Sequence, residues 1–265
     1  MREFPPTPTP WLIRLVRCVR LAFHLAWLGV GATLIYPNVD QQRRAALKKR
    51  WSRKILTILN IHLDAEETSA PPGCLIVANH ISWVDIFAIN SIRPAAFIAK
   101  AEIRAWPFVG WLSARNDTVF LNRGSRQHAR IINGEIDARL NAGCDVAIFP
   151  EGRTTDGTHV LDFHAALLQP AIETERPVLP VAISYHDEQG RRSLAPSFAE
   201  TTLPQCFAAI LACRSLTARL APLPEIATTG QSRRDVSRMA HDNIATRLGF
   251  PPSNREPGTL PGLPA

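Results

Sequence analysis

Apolar and polar positions alternate between two regimes along the middle of the chain. Short unbroken apolar runs at Cys74-Leu75-Ile76-Val77-Ala78, Val119-Phe120-Leu121, Asp145-Val146-Ala147-Ile148-Phe149 and Val178-Leu179-Pro180-Val181-Ala182-Ile183 have the length and composition of buried strands. Between them lie stretches with helical spacing. Residues 40–59 place Leu47, Trp51, Ile55 and Ile58 on one face and basic residues on the other. A short helix follows Ser82, another covers residues 125–141 with Gly143 as its stop, and one starting near Asp162 is interrupted at Gln169-Pro170. Residues 58–63 read as strand and 64–73 as a turn-rich connection.

This alternation predicts an α/β fold: a single domain with a mixed, largely parallel sheet flanked by helices. After Tyr185 the pattern weakens, leaving one more strand at 215–220 and a final helix at 231–248. The expected division is a membrane-associating helical segment over 1–60, a catalytic-type α/β domain over 61–250, and a disordered Pro- and Gly-rich tail over 251–265.

The N-terminal segment has its own pattern. Arg14, Arg17 and Arg20 recur at three-residue steps, which predicts one cationic helical face. From Leu21 to Tyr36 the chain is apolar except for His24 and Thr33. That length of helix reaches only about 24 Å, short of a hydrocarbon core of ~30 Å, unless extended back past a snorkelling Arg20. Basic residues flank both ends, so both are drawn to the cytoplasmic side. A helix lying in the interface, or a hairpin broken near Gly29-Val30-Gly31, meets that condition; a soluble packed helix is the bland alternative. The expected location is the cytoplasmic face of the inner membrane, held monotopically or by a single short anchor.

Candidate chemistry gathers where strands end. His80 directly follows the run that closes at Ala78, and Asp85 comes five residues later in the first turn of a helix. A carboxylate there can reach back to an imidazole, giving a base and its orienter on one rigid corner. Ser82-Trp83-Val84-Asp85 is also a helix-start signal, with Ser82 as N-cap and Asp85 as its capping-box partner. The two roles are compatible. A second strand end delivers Pro150-Glu151-Gly152-Arg153-Thr154-Thr155, and a third delivers Arg123. Ser82 lies two residues from His80 but lacks the surroundings of a nucleophile elbow.

These residues carry a family pattern. Asn79-His80 with Asp85, Phe120-Leu121-Asn122-Arg123, Phe149-Pro150-Glu151-Gly152 and the proline-centred run at 178–183 follow one another in the order and at the intervals of the glycerolipid acyltransferases of the lysophosphatidic acid acyltransferase type. The chain resembles that family over residues 55–185, the linking segment Lys100-Ala101-Glu102-Ile103-Arg104-Ala105-Trp106-Pro107-Phe108-Val109-Gly110-Trp111 included. It departs in two places. Arg153 precedes Thr154 where the family has threonine first, and Phe163-His164-Ala165-Ala166 stands where many members carry a lysine and a glycine.

The resemblance implies transfer of a fatty acyl group from acyl-CoA or acyl carrier protein to the hydroxyl of a lysophospholipid, foremost 1-acyl-sn-glycerol 3-phosphate. Another lysolipid, such as lyso-ornithine lipid, is the alternative acceptor, and a non-catalytic lipid-binding protein is a weaker one. His80 would be the general base and Asp85 its partner. Arg123 would grip the acceptor phosphate, with Glu151, Gly152, Arg153 and Thr154 completing the binding loop and His164 a helix-surface residue. No metal and no cofactor are implied.

Composition narrows the partners. The 265 residues are 46% hydrophobic and carry a net charge of +7, which calls for an anionic partner. The basic residues cluster beside the apolar N-terminal stretch and no zinc-finger or RNA-recognition signature is present, which favours a lipid surface over nucleic acid. Five irregularly spaced cysteines form neither a disulfide framework nor a metal set and fit a reducing compartment, with Cys74 and Cys144 expected as buried thiols.

Overall fold

The computed structural model describes residues 8–121 and 126–252. Helix α1 (Trp11–Val30) runs on through a wide turn at Gly31–Ile35 and a tight one at Tyr36–Asn38. The chain then reverses into α2 (Gln41–Leu59), whose first turn is capped by Asp40 accepting from the Arg43 N–H at 2.8 Å. The remaining elements are β1 (Ile61–Ala65), β2 (Leu75–Ala78), α3 (Val84–Ile92), β3 (Ala95–Lys100), α4 (Val109–Arg115), β4 (Val119–Leu121), α5 (Arg126–Asn141), β5 (Asp145–Ile148), α6 (Gln169–Glu173), β6 (Val178–His186), α7 (Leu203–Ala212), β7 (Leu216–Pro222) and α8 (Arg233–Arg247).

The seven strands form one sheet in the order β1-β7-β6-β2-β5-β3-β4. Every pairing is parallel except β6 with β7. The sheet is therefore mixed and largely parallel, as the alternation of elements predicts, and helices cover both faces. Leu179, Val181, Ile183 and Tyr185 of β6 point into the core shared with α2, α3 and α7. Val178 and Ala182, on the other side of the pleat, join the core beneath α5, α6 and α8.

Four local expectations change. Residues 58 and 59 belong to α2, because Ile55, Ile58 and Leu59 continue one buried helical face until Asn60, at φ 57°, ends the helix and Ile61 starts the strand. No helix begins at Asp162; a single tight turn at Ala165–Leu168 leads into α6. Pro170 sits in the first turn of α6, where a missing N–H costs nothing. Helix α7 was hidden in the weak pattern after Tyr185, although Thr202 and Gln205 form a full capping box at its start. Lys48 leaves the basic face of α2 and is buried, its Nζ donating to the carbonyls of Ala95 and Asn116 and meeting Asp117 at 3.3 Å.

The N-terminal arginines do not share one solvent face either. Arg17 is buried and donates to the carbonyls of Cys213 (2.9 Å) and Arg214 (2.7 Å), while the Thr9 N–H donates to that of Ala212 (2.9 Å). These carbonyls are left unpaired by the end of α7, and a cation there also meets the negative end of the helix. Nor does α1 break at Gly29-Val30-Gly31. It ends at Val30 and widens into the turn at Gly31–Ile35 without reversing, and the reversal comes at Tyr36–Asn38, where Pro37 lies. All five cysteines are free thiols, Cys74 buried and Cys144 only half-buried. The tail from residue 253 onward lies outside the described residues.

Candidate active site

β2 is the central strand, flanked by β6 and β5, and both neighbours run parallel to it. The carboxyl ends of β2 and β5 therefore open at the same edge, where ligands of open α/β sheets bind. Asn79, the first residue past β2, is buried and locks that edge to β6: its side-chain N–H donates to the Ile183 carbonyl (3.0 Å) and its Oδ1 accepts from the Ile183 N–H (2.8 Å).

His80 comes next. Its Nδ1 lies 2.9 Å from Asp85 Oδ2, with the imidazole 20% and the carboxylate 0% exposed. The same oxygen accepts from the backbone N–H groups of Ile81 (2.8 Å) and Ser82 (2.9 Å). The bond to Ser82 is one half of the expected capping box. The reciprocal half is altered, since Ser82 Oγ takes the Val84 N–H (3.3 Å) and the Asp85 N–H goes to the Ser82 carbonyl (3.1 Å). Asp85 Oδ1 accepts from the Tyr185 hydroxyl at 2.6 Å. The Phe149 ring stacks on the imidazole, centroids 3.9 Å apart and planes 10° from parallel. Imidazole orientation is thus fixed through one nitrogen and one face, leaving Nε2 at the opposite corner of the ring.

The loop after β5 is bound to this corner rather than placed beside it. Glu151, 4% exposed, accepts from the His80 N–H through Oε1 (2.6 Å) and from the Leu161 N–H through Oε2 (2.8 Å). Burial raises its carboxyl from the ordinary 4.5 to about 7, against the pull of those two donors and of the Arg153 charge. Gly152 turns the loop at φ 72°, a left-handed conformation that a side chain would strain, and returns its N–H to the Phe149 carbonyl (3.1 Å). Thr155 is buried and donates its backbone N–H to the His80 carbonyl (2.8 Å). Both sides of the His80 peptide are therefore held by the Glu151–Thr155 loop.

Of the residues singled out from sequence, His80, Asp85 and Glu151 come together. Arg153 is exposed and Thr154 half-buried on the same loop. His164 is exposed, just ahead of the turn at Ala165–Leu168. Arg123 lies outside the described residues; β4, which precedes it, ends at the same sheet edge. Sequence reasoning missed Tyr185 and Thr155. Tyr185 was findable, because it stands two positions beyond Ile183 on the inward face of β6.

The arrangement can take a proton from a hydroxyl at His80 Nε2 and stabilise the imidazolium through Asp85. Known proteins are similar to this chain. Residues 60–184 match the family model described as Acyltransferase. The 1-acyl-sn-glycerol-3-phosphate acyltransferase of Neisseria meningitidis serogroup B is 40% identical over 209 residues, which cover 78% of this chain and 82% of that protein. A lyso-ornithine lipid O-acyltransferase of Pseudomonas aeruginosa is 32% identical over 89% of this chain and 91% of its own length. The crystal structure of the 1-acyl-sn-glycerophosphate acyltransferase of Thermotoga maritima superposes with a TM-score of 0.67, covering 90% of this chain and 94% of that one at 21% identity, a likeness of fold.

Proposed function

The chain belongs to the glycerolipid acyltransferase family, and on that premise we propose that it moves a fatty acyl group from an acyl thioester, on CoA or on acyl carrier protein, to the free hydroxyl of 1-acyl-sn-glycerol 3-phosphate. The observation that carries this reading is the His80 Nδ1–Asp85 bond of 2.9 Å at a sheet edge. His80 Nε2 takes the hydroxyl proton as the acceptor oxygen bonds to the thioester carbon. The carbon–sulfur bond then breaks, and the imidazolium returns the proton to the leaving thiolate. Asp85 keeps the Nδ1–H tautomer and balances the charge that forms on the ring.

Glu151 acts by holding the His80 backbone, since both of its oxygens are committed to N–H donors. Gly152, Arg153 and Thr154 form the acceptor loop, and Arg123 is the residue assigned to the acceptor phosphate. Two relatives, 40% and 44% identical over 78% of this chain, bear the 1-acylglycerol-3-phosphate name, which supports that acceptor. Lyso-ornithine lipid is the second reading, because a relative with that name aligns over 89% of the chain.

The location we propose is the cytoplasmic membrane surface. Trp11–Asn38 is long and apolar enough by length and composition to cross a membrane. Yet Leu21, Leu28, Ala32 and Tyr36 are buried against the body and Arg17 is tied to the end of α7, so α1 lies along the protein. Its other face exposes Leu12, Leu15, Val19, Phe23, Trp27, Val30 and Leu34, at the three- and four-residue steps of one helical stripe. Such a helix beds into an interface more readily than it spans one.

Purified protein in detergent, given labelled acyl-CoA or acyl carrier protein with a panel of lysolipids, tests the assignment. Product with lysophosphatidic acid is expected, and product with lyso-ornithine lipid alone would transfer the assignment to the second reading. His80→Ala should lose about 10²- to 10⁴-fold in rate while remaining folded. Equal activity in that variant would remove the mechanism.

A further inference from the structure

Asp85 is a fully buried carboxylate, and among the described residues no lysine or arginine pairs with it. Its charge is met by four hydrogen-bond donors instead. Three of them, His80 Nδ1 and the N–H groups of Ile81 and Ser82, crowd onto Oδ2. The fourth, the Tyr185 hydroxyl, serves Oδ1 at 2.6 Å, the shortest of the set, from a side chain only 2% exposed. Tyr185 reaches this place because β6 pairs with β2 and turns every second residue inward, so Ile183 meets Asn79 and Tyr185 meets Asp85. We propose that Tyr185 is a positioning residue that sets the proton affinity of the His80–Asp85 pair, an inference that rests on His80 being the base.

The physics has two parts. Anchoring Oδ1 fixes the rotation of the carboxylate, so Oδ2 stays in line with the imidazole. A donor on Oδ1 also draws charge away from Oδ2, and a less basic carboxylate stabilises the imidazolium less. Burial and the neighbouring Asp85 push the tyrosine hydroxyl well above its ordinary range, so it remains a donor wherever the enzyme works. The other ionisable groups facing the pair are Glu151, from the loop after β5, with Arg153 beside it, and Cys206 of α7 behind Tyr185.

The test is the pH dependence of kcat/KM for the lysolipid in mixed micelles. Tyr185→Phe should move the acid limb to higher pH by roughly one unit and leave KM for the acceptor nearly unchanged. The chain has two tyrosines, and the other, Tyr36, bonds Asn116 away from the site. In a Tyr36→Phe background, 3-fluorotyrosine therefore reports on Tyr185 alone. A more acidic phenol is a stronger donor, so this substitution should move the limb to lower pH with almost no change of volume. If Tyr185→Phe does not fold, the fluorinated protein decides. Activity lost equally at every pH, with the limb fixed, would mean Tyr185 is packing only and would overturn the proposal. A His80→Ala variant that keeps its rate would instead overturn the base assignment, and this inference with it.

Discussion

Glu151 spends its whole carboxylate on the backbone, and its protonation is consequently linked to stability. Its value of about 7 in the fold exceeds the ordinary 4.5 because burial outweighs the donors of Leu161 and His80. Between those pH values the folded chain holds a proton that the unfolded chain has released. The contribution from this group is therefore full below 4.5 and is lost as pH rises through 7. Glu151→Gln removes that titration and leaves one N–H facing an amide NH₂, at a cost of about 1–3 kcal/mol. Thermal unfolding of both proteins from pH 4 to 8 should show the wild-type midpoint falling more steeply across the window; parallel curves would exclude the linkage. At this scale the sequence was generous with His80 and Asp85, whose five-residue spacing brings them to one corner by local geometry alone. It was silent on Tyr185 and Thr155, because their partners lie 100 and 75 residues away, respectively, in the chain, and only strand register brings them near.

Among elements, the α1–α2 hairpin depends on one close approach. A Cβ at Gly31 would come within 2.6 Å of the Trp51 ring, which is buried and stacked on Tyr36. That ring has nowhere cheap to go. Gly31→Ala should cost about 1–3 kcal/mol by overpacking, measurable by denaturant unfolding, and a neutral result would show that the hairpin yields. The hairpin was only partly legible beforehand. Apolar content announced α1, but the pairing of Arg17 with the end of α7 and of Lys48 with two carbonyls and Asp117 inverts the usual rule that basic residues face water. Such inversions follow from long-range carbonyl partners, which no local pattern encodes. α7 shows the opposite case: its capping box was written in Thr202 and Gln205 and was hidden by the irregular run before it.

For the whole molecule, parallel order and two-sided cover followed from alternating buried runs, and the family from four motifs in sequence. What no pattern could show is that the exposed stripe of α1 has a neighbour. Trp106, Phe108, Val109 and Trp111 are also exposed, and Phe108 and Trp111 join Ala26, Val30 and Leu34 around an open apolar hollow of about 620 Å³. Phe23 and Trp27 are 74% and 57% exposed, so replacing both with aspartate should leave stability within about 0.5 kcal/mol. If the stripe beds in lipid, the same change should weaken vesicle binding by about 3 kcal/mol or more, roughly a hundredfold. Co-sedimentation that is unaltered would remove the stripe from membrane attachment.

Arg17 gives that stripe a further meaning. Because it rivets α1 to the end of α7, the sheet edge carrying His80 would keep a fixed height above any surface on which the helix rested. An enzyme so held would meet its acceptor in two dimensions. Its rate would then be governed by the mole fraction of lysolipid in the leaflet rather than by the amount per litre, and inert lipid would act as a diluent.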